Sequence, residues 1–289
     1  MPWDNLAILI PTRNRPAILA ATLKELAKAG LKDAALWVYD DASEKPQAVQ
    51  EVVGTWPGGR IIRGEKRVGQ AAGRNVLLRA CGKEYGLLLD DDSFPASTEG
   101  IEEHLAGGRN QKQPAIVTFQ YKSMADGKLS RPASVPAGPT GSFSGGGSVF
   151  HIPSVLGVGG FRDFFTYGYE EPELSMRLWL RGLTIWYDPR VVINHNHFEA
   201  ADERRDYREY DYLYARNAIL MSSLNMPFWF GLPHGLARSA RLSFRLRRNL
   251  WARVRGTLAG VWLSLCLRQE RTPCPLGQAL AWCRFVRGA

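Results

Sequence analysis

Residues 85–95 read YGLLLDDDSFP, an apolar run that ends abruptly at three adjacent carboxylates, Asp90, Asp91 and Asp92. Leu87, Leu88 and Leu89 suit a strand buried on both faces, the kind found in parallel sheets covered by helices. Three neighbouring carboxylates at the end of such a strand raise one another's pKa values and repel unless a cation is shared among them. In an extended segment alternate side chains share a face, so Asp90 and Asp92 are expected to converge while Asp91 points away. A hard divalent cation, Mg²⁺ or Mn²⁺, takes one or two carboxylates together with phosphate oxygens, which suits this D-x-D spacing. The plainer reading is an acidic turn capped by Asp92 and Ser93 before Pro95.

On the N-terminal side the pattern repeats. LAILIP (6–11) is an apolar strand, and RPAILAATLKELAKAG continues as a helix opened by Pro16 and closed by Gly30. ALWVYDD (35–41) and GRIIRG read as further strands, and GQAAGRNVLLRACG as a helix ending at Gly82. Strands alternating with helices predict an α/β fold with a mostly parallel, Rossmann-like sheet. Ligands of such sheets bind beyond the carboxyl ends of the strands. Those ends carry Thr12 and Arg13, then Asp40 and Asp41, then the three aspartates. Beyond them, AIVTFQYK and SVFHIP look like strands among Gly-, Pro- and Ser-rich loops, so a mixed second half is expected. GVGGF (157–161) reads as a turn, and no GxxxxGK[ST] phosphate loop is present.

A chain of 289 residues with 45% hydrophobic content buries one substantial core. The four cysteines have neither CxxC nor His–Cys metal spacing, which predicts reduced thiols in a cytoplasmic setting. The opening MPWDNLAILIP has no basic region, which argues against a signal peptide, and no long uninterrupted apolar window predicts a transmembrane span. The net charge of +9 is unevenly placed: from Arg238 onward there are 11 Arg, no Lys and one acid, Glu270. A membrane surface, a nucleic acid or water could each meet such a tail.

LAILIPTRNRP, VYDDAS, GQAAGRNVLL, LLLDDDS, GVGGFRDFFTYGYEEPELSMRLWLRG and VVINHNHF occur in this order, and together the chain resembles glycosyltransferase family 2, of the GT-A fold. The resemblance covers about residues 6–225 and implies a metal-dependent, inverting transfer of a hexosyl or deoxyhexosyl group from a nucleoside diphosphate sugar. It implies a GT-A domain over 1–225, with a nucleotide-binding half to about residue 95 and an acceptor-binding half after it. Residues 226–289 are left as a basic helical extension. Pro11, Thr12 and Arg13 match the floor of the nucleotide pocket, Asp40 and Asp41 the segment against base and ribose, and Gly69, Arg74, Asn75 and Asp91 further donor-binding positions. Asp90, Asp92 and a late histidine match the Mn²⁺ or Mg²⁺ ligands; His195 is the better match, with His197 left open. The family's base is the second residue of a Glu-Asp pair, here Glu171 with Glu170 before it. The added methylene keeps the choice between the two open.

Each residue also has a bland reading. Glu170, Glu171 and Glu173 suit the positive end of a helix opened by Pro172. Arg74 suits a helix surface, and the histidines suit backbone or water partners. The expected mechanism uses Glu171 as base on an acceptor hydroxyl and a cation on Asp90, Asp92 and His195 to offset charge on the leaving diphosphate. Two carboxylates flanking the bond would instead suggest a glycosidase. A nucleotidyltransferase shares the sheet and the acidic metal site, but this chain lacks a basic Gly-rich segment near its start. A sugar-nucleotide or nucleic-acid binding protein is the non-enzymatic alternative, and the few aromatics among the tail arginines count against nucleic acid. Residues 235–268 mix leucines and tryptophans with eight arginines and no acid, the composition of interfacial helices on an anionic membrane. On that reading a saccharide or lipid-linked acceptor at the inner membrane face is the expected partner; the bland alternative is helices that pack Trp and Leu onto the catalytic domain with their arginines solvated.

Overall fold

The computed structural model describes residues 3–107, 113–196, 207–245 and 249–288. β1 (Leu6–Thr12), α1 (Pro16–Lys28), β2 (Ala35–Asp40), α2 (Pro46–Gly54), β3 (Arg60–Arg63), α3 (Gln70–Ala80) and β4 (Tyr85–Leu89) alternate along the chain. Proline opens α1 and α2, where its missing N–H has no helical partner to lose. Gly30 just past α1 takes φ +87°, which only glycine adopts without strain. These four strands pair in parallel in the order β3-β2-β1-β4.

The second half of the sheet is mixed. β5 (Ser93–Pro95), β6 (Ile116–Ser123), β7 (Gly138–Pro139), β8 (Gly147–His151) and β9 (Ile185–His195) extend it as β4-β8-β6-β9-β5, with β7 on β9. β8 runs antiparallel to β4 and β6, and β6 is parallel to β9. β5 lies antiparallel to β9 in a register that sets Ser93 opposite His195. That pairing carries the end of β9 to the carboxylate cluster.

Helices cover both faces. Leu87 and Leu89 join Ile8, Ile10 and the apolar faces of α1 and α2 in one core, while Leu88 joins Leu9, Leu77 and Leu78 on the other. Complete burial of such a leucine contributes about 1.5–3 kcal/mol, which explains the uninterrupted apolar run before Asp90.

After α4 (Glu99–Gly107), α5 (Ile152–Gly157) and α6 (Glu170–Leu180), the remaining helices are α7 (Tyr207–Asn225), α8 (Phe228–Arg245), α9 (Leu250–Cys266) and α10 (Leu276–Gly288). Met176 of α6, Leu220, Met221 and Leu224 of α7 and Trp282 of α10 share one core. The described residues after 225 are thus packed onto the helices that precede them. α7 is buried along most of its length because glycines let two helices approach its backbone. A Cβ on Gly235 of α8 would lie 2.7 Å from the Ile219 Cα, and one on Gly260 of α9 2.8 Å from the Arg216 carbonyl oxygen. This close seating turns α9 inside out. Arg253, Gly256, Gly260 and Ser264 face inward, while Trp251, Val254, Leu258, Trp262 and Leu265 form an outer stripe, each 39–80% exposed.

Candidate active site

A cavity of about 530 Å³ opens beyond the carboxyl ends of β1 and β4 and is closed on its far side by the first turn of α6. Pro11, Thr12, Arg13, Asp41 and Gly69 line one side. Asp90, Asp91, Asp92 and His195 form the base, and Arg74, Glu170 and Glu171 stand beside them.

The carboxylates do not continue the strand. β4 ends at Leu89, and a turn follows in which the Ser93 N–H donates to the Asp90 carbonyl (3.1 Å) and the Asp90 N–H donates to Ser93 Oγ (2.9 Å). The expected strand alternation is therefore not what sorts the side chains; their partners are. Asp91 turns inward, accepting from Thr12 Oγ1 (2.7 Å) and pairing with Arg15. Burial pushes the Asp91 carboxyl up to about 7, against the pull of Arg15, with the neighbouring Asp92 charge adding to the rise. Asp92 pairs with Arg15 at 2.8 Å and with His195 Nε2 at 3.0 Å. Burial alone would raise it, but the hydrogen bond and charge of His195, together with Arg15, hold it down at about 2. Burial would lower His195, but its hydrogen bond to Asp92 and the charges of Asp92 and Asp90 raise it, against a smaller opposing pull from Arg15.

One ligand atom from each of Asp90, Asp92 and His195 lies within 4.8 Å of the other two. Two carboxylates and an imidazole at that spacing fit a divalent cation that accepts both oxygen and nitrogen. His197 lies outside the described residues.

Arg74, 1% exposed, joins this cluster to the acidic helix end. It donates to Asp90 at 3.0 Å and lies 3.6 Å from Glu170 and 4.0 Å from Glu171. Burial would depress its pKa, but the charges of Asp90, Glu171 and Glu170 raise it. Glu170 is the more enclosed carboxylate, with a side chain 6% exposed against 29% for Glu171. The Glu171 carboxylate accepts from the Gly145 N–H. Burial, then the Glu170 charge, push Glu171 up to about 7, while Arg74 pulls the other way. The arrangement offers a cation site and, across one arginine, a separate carboxylate able to take a proton near neutral pH.

Two expected nucleotide contacts sit elsewhere. Asn75 is buried under the loop after α5: it donates to the Phe161 carbonyl and to Asp163, both at 2.6 Å, and accepts from the Phe161 N–H at 2.9 Å. With its amide so occupied it holds that loop, outside the cavity lining. Asp40 is wholly buried and is bound by Arg63 (2.6 Å) and the Ser43 N–H (2.9 Å), also outside the lining. Asp41 does face the cavity, while its oxygens accept from the Val68 (2.7 Å) and Gly69 (3.0 Å) N–H groups.

Sequence reading missed several neighbours. Arg15, which pairs with Asp91 and Asp92, stood in view as the second arginine of TRNRP. Residues 145–147 read as a loop, yet a Cβ at Gly145 would collide with the Arg74 guanidinium (2.5 Å) and one at Gly146 with the Asp90 carboxylate. Three consecutive glycines before a strand were the available signal. Gly146→Ala is expected to cost about 1–3 kcal/mol in urea melts through overpacking and to weaken cation-dependent ligand binding. Arg238, from the C-terminal helices, also lines the cavity, with Tyr167, Tyr210 and Tyr214.

Residues 7–156 match the family described as Glycosyl transferase family 2. Two similar curated proteins are pre-mycofactocin glycosyltransferases from two strains of Mycobacterium tuberculosis, each 26% identical over 209 residues, or 67% of this chain and 43% of theirs. The chain thus spans less than half the length of these relatives. Among solved structures, GalNAc-T7 with UDP, GalNAc and Mn²⁺ superposes with a TM-score of 0.64 at 15% identity, over 84% of this chain and 51% of that one. Staphylococcus aureus TarS 1–349 with UDP-GlcNAc gives 0.60 at 14% identity, over 92% of each chain. A mannosyltransferase from Pyrobaculum calidifontis with GDP-Man and Mn²⁺ gives 0.57 at 16% identity, over 98% of this chain and 82% of that one. At these identities the likeness is one of fold.

Proposed function

The chain belongs to glycosyltransferase family 2 and has the GT-A fold, and on that premise we propose a metal-dependent, inverting transfer of a sugar from a nucleoside diphosphate to an acceptor hydroxyl. The observation that carries this reading is the cluster of Asp90, Asp92 and His195 separated by Arg74 from Glu171 within one cavity.

Asp90, Asp92 and His195 would hold Mn²⁺ or Mg²⁺, which when bound supplies positive charge to the leaving diphosphate. Thr12, Arg13, Asp41 and Gly69 line the side assigned to the nucleotide. Glu171 takes the proton of the acceptor hydroxyl as its oxygen attacks the anomeric carbon; the bond from that carbon to the diphosphate oxygen breaks, and the nucleoside diphosphate leaves. Arg74 keeps Glu170, Glu171 and Asp90 together and moderates their mutual repulsion. With one carboxylate presented to the acceptor and the aspartates committed to the cation, a single displacement with inversion follows.

Incubation with UDP-, GDP- and dTDP-sugars plus Mn²⁺ tests the reading: slow release of free sugar from at least one donor is expected. Turnover of none, with no nucleoside diphosphate binding, overturns it.

The stripe on α9 favours an acceptor that resides at a membrane. No helix among the described residues is long and apolar enough to cross a bilayer. Trp251, Leu258 and Trp262 nevertheless face outward on an Arg-rich region, a combination that suits the headgroup boundary of an anionic leaflet. Each arginine near such a surface contributes about 1 kcal/mol. The inner membrane face and a lipid-linked saccharide acceptor follow from this reading. The full chain is expected to float with phosphatidylglycerol vesicles at low salt, less at high salt, and to lose flotation when Trp251 and Trp262 are both replaced by Ser. Equal flotation of the double variant, or none by the wild type, rules out this surface. Dimers seen by size exclusion that the double variant abolishes would assign the stripe to self-association instead.

A further inference from the structure

Beside the catalytic cavity lies a second pocket of about 300 Å³ into which Arg238 and Arg241 of α8 and Arg287 of α10 converge around His234. No acid lines it, and among the described residues no carboxylate forms a salt bridge with any of the three arginines. Like charges gathered without a counter-charge repel, and a guanidinium fork answers a phosphate oxygen with paired donors. The crowding is felt by His234, whose pKa is lowered by burial and then by the charges of Arg238, Arg287 and Arg241. A pocket of about 300 Å³ is large enough for a phosphate or a diphosphate.

Its position identifies which substrate carries the anion. Tyr169 and Arg238 line both this pocket and the catalytic cavity, and the Arg238 guanidinium sits 5.3 Å over the Tyr169 ring. Tyr169 immediately precedes Glu170 and Glu171, and its left-handed backbone (φ +68°) starts α6. The shared wall is therefore the one that presents the two carboxylates.

We propose that Arg238, Arg241 and Arg287 form a subsite for a phosphate or diphosphate group carried by the acceptor, held next to the hydroxyl that receives the sugar. This deepens the transferase reading and rests on it. The same chemistry could come from a lipid-linked diphosphate or from a soluble phosphorylated saccharide.

The test uses the full chain in metal-free buffer with EDTA, titrated by calorimetry with inorganic pyrophosphate and, separately, with farnesyl pyrophosphate below its micelle concentration. Arg241→Ala/Arg287→Ala alters two exposed side chains; its melting temperature and its UDP, GDP and dTDP binding with Mn²⁺ are expected to match wild type. Pyrophosphate affinity is expected to fall at least tenfold in this variant. It is expected to hold in Arg255→Ala/Arg268→Ala, which removes the same charge from exposed positions outside the pocket, and in Asp92→Asn. Binding of farnesyl pyrophosphate at least tenfold tighter than pyrophosphate, with the same dependence on the arginines, assigns a lipid source; equal affinities assign a soluble one. Absence of wild-type binding, equal affinity in the pocket variant, or an equal loss in the Arg255/Arg268 control overturns the subsite. If no nucleoside diphosphate binds with Mn²⁺ in the wild type, it is the transferase reading that fails, whichever way pyrophosphate behaves.

Discussion

Glu171→Gln is expected to lower the transfer rate by about two to four orders of magnitude while nucleoside diphosphate affinity stays within a few fold. The loss is large because amide and carboxylate share a shape but only the carboxylate accepts a proton. Burial and the Glu170 charge set Glu171 at about 7 in the absence of a cation, so its deprotonated, competent form grows as pH rises through that region. A rate profile rising with pH on its acid side is the expected signature. Glu170→Gln removes one of the charges that lifts Glu171 and is expected to move this limb to lower pH with most activity kept. If Glu170→Gln is inactive and Glu171→Gln is not, the base is Glu170 and the proton route runs through the more enclosed carboxylate.

Asp92→Asn is expected to reduce cation-dependent nucleoside diphosphate binding by at least about 10–100-fold, the range found even for residues one step removed from a metal. In wild type the same loss should follow addition of EDTA and reverse with Mn²⁺; in the variant EDTA should change little. Asp92 is singled out because the His195 and Arg15 contacts hold its carboxyl at about 2, so it stays an anion at every working pH. Calorimetry with UDP and GDP in the four combinations decides the point. Equal affinity across all of them would remove the cation from the binding step.

The first half of the fold was legible because its signals are local. Alternating apolar runs and helices, with Pro16 at a helix start, need only neighbours in sequence to be read. The LLL run followed by three aspartates located the ligand end of the sheet, since charge at the tip of a doubly buried strand has few other resting places. Roles assigned by position alone were less secure. Asn75 and Asp40 stand close in sequence to cavity-lining residues, yet their polar atoms are occupied by Phe161, Asp163, Arg63 and Ser43. No spacing rule announces such partners, which in the case of Asn75 lie more than 80 residues away.

By itself, then, the sequence determined the strand and helix alternation, the acidic clusters and the basic tail, because periodicity and charge are properties of adjacent residues. Tertiary structure alone decided which carboxylate faces the cavity, that Arg15 and Gly146 crowd the aspartates, and that Arg238 of the tail reaches the same cavity. It also decided that α9 points its glycines inward and its tryptophans outward, since a helix with two usable faces is oriented by what it must pack against: here the backbone of α7, which only the small face can approach.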